Sequence, residues 1–253
     1  MKLQKLLSYV RKACDVYHMI EAGDRIAVGI SGGKDSLALL TALKYLQRFY
    51  PKPFEIEAVT VSLGFADFDV SGIRQYCETL QVRYTVVETQ IGPLIFDIRK
   101  EKNPCALCAK MRKGALNHEA KRLGCNKIAL GHNKDDICQS FLMSLFYEGR
   151  IHTFAPVTYL DRMSLHAIRP LMFVPEKEAA GFAKAHNLPV VKSPCPVDGK
   201  TKREYIKNFI YEQEENFDHF GDKLFTAILN SDIGGYSQIT LLDKGFSNAS
   251  KLS

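Results

Sequence analysis

Arg25-Ile26-Ala27-Val28-Gly29-Ile30 runs straight into Ser31-Gly32-Gly33-Lys34-Asp35-Ser36, and Leu37 to Phe49 then carries Leu37, Leu40, Leu43 and Leu46 on or near one face before Pro51. The first stretch is a short apolar run of the kind a buried parallel strand gives, and the last has the period of a helix. A strand, a Gly-rich turn and a helix in that order form an anion site. The glycines let the backbone turn tightly and bring its N–H groups to a ligand, while the helix points its positive end at the same place. Lys34 adds a full charge, and Ser31 and Ser36 add hydroxyls. The arrangement suits a pyrophosphate. It is not the Walker pattern, which has four residues between its first Gly and Gly-Lys and a hydroxyl residue directly after the Lys. The competing reading, an ordinary Gly-rich turn, has to ignore six specified residues in the expected context.

Working outward, Ile56 to Val61, Tyr84 to Val87 and Lys127 to Leu130 read as further strands, with helices expected at Ile73 to Leu80 and Lys110 to Leu123. This alternation predicts an α/β fold with an open, mostly parallel sheet and helices on both faces. Gly131-His132-Asn133-Lys134-Asp135-Asp136 leaves the last of these strands for a helix reaching about Tyr147. Leu165 to Arg169 reads as a strand, Pro175 to His186 as a helix with Pro in its first turn, and Lys202 to Phe217 as a charged helix. Another site element is expected at Ser193-Pro194-Cys195-Pro196, after Val190-Val191. The resulting organisation is a helical lead over 1–24, a catalytic domain over 25–217 and a C-terminal extension over 218–253. From about Ser231 Gly, Ser and Asn accumulate, and the tail is expected to be loosely held.

Composition bounds the function. Of 253 residues, 34 are Lys or Arg and 28 Asp or Glu, a net charge of +6 that permits a polyanionic partner without requiring one. No apolar run approaches a membrane span, and the start interleaves charge with an amphipathic pattern instead of a signal-peptide core. A cytoplasmic protein is the expectation. Seven cysteines, odd in number and irregularly spaced, do not form a disulfide framework. Cys14, Cys77, Cys125 and Cys138 sit in or beside apolar stretches and read as small core residues. The histidines show no metal spacing and read as structural, although His132 borders the expected crevice.

Asn103-Pro104-Cys105-Ala106-Leu107-Cys108 places two thiols three residues apart just before the expected helix. Zinc, a redox dithiol and iron–sulfur all remain open for such a pair. If Cys195 folds back beside it, three thiolates suit a [4Fe–4S] centre with one open iron better than a closed zinc site, which takes four ligands.

Ser31-Gly32-Gly33-Lys34-Asp35-Ser36 resembles the signature of the PP-loop ATP pyrophosphatase superfamily, whose members adenylate an oxygen and release pyrophosphate. Met19 to Arg25, Cys105 to Gly114, Lys127 to Asp136 with Phe146-Tyr147, Ile168-Arg169-Pro170-Leu171 and Pro194-Cys195, taken together, resemble the tRNA 2-thiocytidine synthetase family; a similar constellation marks relatives that thiolate uridine. The likeness runs from Leu3 to Phe209. It implies an adenine-nucleotide α-hydrolase-like fold of PP-loop type and an ATP-dependent tRNA sulfurtransferase. The expected cofactors are ATP, Mg²⁺ and a [4Fe–4S] cluster on Cys105, Cys108 and Cys195. The expected partners are a tRNA and a sulfur donor such as a cysteine desulfurase or free sulfide, with a homodimer as a candidate assembly and no membrane. The family often carries a second Cys three residues after the match to Cys195; here it is Asp198, read either as a fourth, labile oxygen ligand or, the favoured reading, as a turn residue.

On this reading ATP lies along the carboxyl edge of the sheet, with its phosphates in the Ser31 to Ser36 loop, its adenine near Val61 and its path eased by Gly131. Asp136 and Asp35 are the candidate carboxylates for Mg²⁺, and Arg112, one helical turn after Cys108, is assigned to the charge that grows during adenylation. A helix cap for Asp136 and a phosphate contact for Arg112 are the bland alternatives. Lys110, Lys113, Lys121, Arg122, Lys200, Lys202, Arg203 and Lys207 form a candidate RNA-facing surface. Two rivals stand beside this reading: a PP-loop ligase that attaches an amine to a tRNA base with structural cysteines, and a zinc-stabilised RNA-binding protein without catalysis.

Overall fold

The computed structural model describes residues 1–65, 67–101, 104–192, 194–197 and 201–238. Helix α1 (Leu3–Val16) leads into β1 (Arg25–Gly29), α2 (Lys34–Leu46), β2 (Glu55–Ser62), α3 (Ser71–Thr79) and β3 (Arg83–Glu88). A short α4 (Ile91–Pro93) continues as a π-helical turn, then come α5 (Pro104–Arg122), β4 (Lys127–Ala129) and α6 (Lys134–Glu148). There follow β5 (Val157–Leu160), β6 (Leu165–Ile168), α7 (Glu176–Ala185), α8 (Lys202–Asn216) and α9 (Phe220–Leu229).

The six strands lie in the order β3-β2-β1-β4-β6-β5. All neighbours are parallel except β5 and β6. The open, mostly parallel sheet is as expected; β5, an antiparallel edge strand, is an addition. It is four residues long and turns back through Asp161–Met163 and Ser164, whose φ is 51°. Periodicity is weak in so short and half-exposed a strand.

Alternation along the strands divides the core. Ile26, Val28, Ile56, Ala58, Ala129 and Ile168 face the larger cluster, and Ala27, Val59, Ile128 and Leu165 face the smaller one. Helix α2 is buried nearly all round, and each of its fully buried leucines contributes about 1.5–3 kcal/mol. On the other face, α5 supplies Ala120, with Leu116 and Leu123 beside it. Cys14, Cys77, Cys125 and Cys138 are buried, as expected.

Topology fixes the site. From β1 the chain crosses through α2 to β2 on one side, and later returns through α5 to β4 on the other. Loops after β1 and β4 therefore diverge at a switch point, where open α/β sheets bind ligands outside the carboxyl ends of their strands.

Two sequence expectations change. The Cys105–Cys108 pair lies inside α5, which begins at Pro104, because proline fits a first helical position whose N–H needs no partner. The tail is docked as far as Tyr236, which is fully buried and donates its hydroxyl to the Phe154 carbonyl at 2.8 Å. One aromatic anchor in a Gly/Ser-rich stretch leaves no periodicity to read. Among the described residues no helix is long and apolar enough to cross a membrane.

Candidate active site

The phosphate loop braces itself. Ser36 Oγ accepts from the Ser31 N–H at 3.2 Å and donates to the Gly33 carbonyl at 2.8 Å, and the Gly33 N–H donates to Ser31 Oγ at 3.3 Å. Ser36 is buried, and its hydroxyl holds the turn. Gly33, the N-cap of α2, gives no side-chain cap, which leaves first-turn N–H groups for an anion. Gly32 has φ +85°, and a Cβ there would stand 3.3 Å from Val191 Cβ. The Val191 N–H donates to the Gly32 carbonyl at 2.9 Å, so the segment leading to Pro194–Cys195 is tied across the loop.

Lys34 Nζ lies 2.9 Å from Asp35 and 3.1 Å from Glu176, and Lys207 from α8 binds the same Glu176 oxygen at 2.9 Å. Burial pulls the Lys34 pKa down, but the two carboxylates outweigh it and hold the ammonium above its usual range. Asp35 Oδ1 accepts from Asn133 Nδ2 at 3.2 Å, linking the loops after β1 and β4.

Asp136 forms a capping box with Asn133: its backbone N–H donates to Asn133 Oδ1 at 3.0 Å, and its carboxylate accepts from the Asn133 N–H at 2.9 Å. The other carboxylate oxygen meets Arg203 at 3.0 Å. Burial raises the Asp136 pKa, and the Asn133 N–H and Arg203 offset only part of that rise. The cap and the place beside the phosphate loop coexist. Gly131 is also in close packing, because a Cβ there would stand 3.1 Å from the Ser36 amide nitrogen. Close packing of β4's exit on α2 therefore favours glycine here.

A cavity of about 500 Å³ opens between this edge and α5. Ser31, Val61, Cys105, Cys108, Arg112 and Cys195 all line it, which joins the phosphate loop to the thiols and to the strand end expected beside adenine. Burial raises the Cys108 pKa, Arg112 lowers it, and Cys195 and Cys105 raise it further. Thiols that repel one another's ionisation are a donor set that a positive centre would relieve. Among the described residues no group of three or more His, Cys, Asp or Glu side chains is gathered closely enough to hold a metal ion, so the three thiols share a cavity wall without forming a coordinating set. Three thiolates on one cavity wall match in donor type what an iron–sulfur centre takes. Asp198 lies outside the described residues, as does Lys200.

Sequence reasoning missed three contributors. Glu176 bridges two lysines, and Arg203 and Lys207, expected on an outer basic surface, turn inward to Asp136 and Glu176. His132 also lines the cavity.

The class follows from the fold and the loop: a family model described as a PP-loop domain matches residues 4–214. Similar curated proteins include the tRNA-cytidine(32) 2-sulfurtransferase of Teredinibacter turnerae, 36% identical over 232 residues, covering 90% of this chain and 76% of that one. The one from Dichelobacter nodosus is 36% identical over 227 residues, covering 89% and 85%. Among solved structures, the U34-tRNA thiolase NcsA from Methanococcus maripaludis with its [4Fe-4S] cluster is similar, with TM-score 0.72 and 25% identity over 93% of this chain and 78% of that one. An NH3-dependent NAD synthetase from Campylobacter jejuni shares the fold, with TM-score 0.50 and 17% identity, covering 88% and 92%. The chain belongs to the tRNA-cytidine(32) 2-sulfurtransferase family of PP-loop proteins.

Proposed function

We propose that this chain is an ATP-dependent tRNA thiolation enzyme that adenylates the C2 oxygen of a cytidine in the anticodon loop and replaces that oxygen with sulfur. The observation that carries the reading is the shared cavity, whose wall holds Ser31 of the phosphate loop together with Cys105, Cys108 and Cys195. The family supports tRNA as substrate.

The first-turn N–H groups of α2 and the Lys34 ammonium bind the phosphates. Asp35 and Asp136 would hold Mg²⁺ near the α and β phosphates, with Arg203 yielding its contact to Asp136. The C2 oxygen attacks the α phosphorus, the α–β bridge breaks, and pyrophosphate leaves. Arg112, on the cavity wall one turn from Cys108, takes up the charge that grows there. A [4Fe–4S] cluster on the three thiolates would supply an open iron at which sulfide from a donor can be presented. In the second half, a C2–S bond forms while the C2–O bond breaks, and AMP departs with the bonding pair. The apolar lining, including Val59 and Leu130, keeps water from competing with sulfide.

Nucleoside mass spectrometry of tRNA from cells with and without the protein tests this. Loss of 2-thiocytidine is expected. Loss of a thiouridine instead would favour the second reading, uridine thiolation, which the likeness to a U34-tRNA thiolase supports. If no thiolated nucleoside disappears, tRNA thiolation is wrong.

A further inference from the structure

One polar side chain of the cavity wall has no part in this scheme. His132 follows Gly131 at the exit of β4 and lines the cavity with Ser31, Cys108 and Arg112. Its Nδ1 is sealed from solvent without a hydrogen-bond partner. The ring packs on Phe154, with centroids 4.6 Å apart and planes inclined at 35°. Phe154 also carries the Arg169 guanidinium 4.8 Å from its centroid, and its carbonyl accepts from Tyr236 at 2.8 Å. The imidazole is thus fixed by a stack anchored in the C-terminal segment.

Burial, followed by the charges of Arg169, Arg203, Arg112 and Lys113, pushes the His132 pKa down to about 3. The ring is neutral at working pH and carries one N–H. A buried N–H without an acceptor is a rarer and costlier orphan than a buried lone pair. The hydrogen therefore sits on Nε2, and Nδ1 keeps the lone pair. With Nδ1 enclosed, Nε2 is the polar edge left for the cavity.

We propose that His132 is a substrate-contacting residue that donates its Nε2 hydrogen to the oxygen at C2 of the target pyrimidine. The assignment rests on the tRNA thiolation reading. That oxygen attacks phosphorus in the first half of the reaction and departs with AMP in the second. A fixed donor orients the base before attack and steadies the same oxygen as it leaves. No proton is transferred, so the donor serves both halves unchanged.

His132→Phe keeps an aromatic ring on Phe154 and removes the donor, whereas His132→Gln carries an amide N–H close to the Nε2 position. Both are compared with wild type in single-turnover thiolation of a tRNA transcript by cluster-loaded protein with ATP and sulfide, read by nucleoside mass spectrometry. ATP affinity, tRNA affinity and melting temperature are measured alongside. The expected result is a rate about 10²-fold lower for His132→Phe, the scale of losing one oriented donor, with both affinities and the melting temperature near wild type. His132→Gln should recover at least about 10-fold of that loss. The ratio of wild-type to His132→Phe rates should stay constant from about pH 6 to about pH 9, because the ring does not titrate there. Equal rates for wild type and His132→Phe overturn the assignment, as does a His132→Phe variant that loses ATP affinity and stability in step with rate. A wild-type chain that makes no thiolated nucleoside overturns both the functional reading and the assignment built on it.

Discussion

Gly131→Ala places a methyl carbon 3.1 Å from the Ser36 amide nitrogen and 3.2 Å from the Asp35 carbonyl carbon and Ser36 Cα. All three are backbone atoms in the first turn of α2, so no side-chain rotation relieves the contact. Non-bonded carbons sit best at about 3.5–4.0 Å, so the exit of β4 and the start of α2 must separate by several tenths of an ångström. Overpacking of this kind costs about 1–3 kcal/mol. The displaced backbone belongs to the phosphate loop, so ATP binding should weaken together with stability, by about tenfold for each 1.4 kcal/mol that falls on the loop. Gly114→Ala is the matched control. It lies within α5, a Cβ there meets nothing within 4 Å, and the change should stabilise by about 0.5–1 kcal/mol. Urea unfolding and calorimetric ATP titration on both variants give the numbers. A Gly131→Ala protein as stable as wild type, with unchanged ATP affinity, would refute the claim that β4's exit and the phosphate loop are in hard contact; so would equal shifts for the two alanines.

Two further perturbations probe the charges and the thiols. Burial by itself would raise the Glu176 pKa, but the Lys207 hydrogen bond and Lys34 bring it below the usual 4.5. A depressed carboxylate adds stability that is present above its unfolded pKa and fades as pH falls through its folded value. Glu176→Gln should therefore cost about 1–2 kcal/mol at neutral pH and flatten the acid side of the stability profile, and an unchanged acid slope in urea titrations would argue against the two-lysine bridge. Cys105→Ala and Cys195→Ala should lose iron after anaerobic purification, while Cys77→Ala, at a buried thiol whose pKa burial pushes to about 11, should keep it. Iron retained in the first two variants would remove those thiols from the cluster.

The parts of the site written in consecutive residues are legible in the sequence, and relations between distant segments are not. Ser31 to Ser36 announces itself because strand, glycines, lysine and helix stand in one run. The Asn133–Asp136 capping box has a recognisable spacing that marks Asp136 at a helix start. Arg203 and Lys207 read as surface charge because their partners, Asp136 and Glu176, lie far away in sequence. His132 lacks metal spacing and so reads as structural, although a polar residue beside a glycine at the carboxyl end of a parallel strand carries a usable signal. Tyr236 has none, being a lone aromatic in a polar tail.

Convergence of the motifs follows from the direction of the chain. A crossover helix between parallel strands must run back along the sheet, so a helix that follows a strand starts at that strand's carboxyl edge. Lys34 opens α2 after β1, Cys105 falls in the first turn of α5 after β3, Asp136 in that of α6 after β4, and Glu176 opens α7 after β6. Each stands in its own stretch of sequence, yet a single parallel sheet obliges all four to meet at one rim. With strand order reversing between β2-β1 and β4-β6, that rim divides beside Ser31 and Gly131. The same rule draws Glu176 into the site from sequence alone, since the Pro175 that precedes it marks a helix start. Helix α8 follows no strand, so chain direction says nothing of Arg203 and Lys207, and their places are set by the tertiary ion pairs to Asp136 and Glu176.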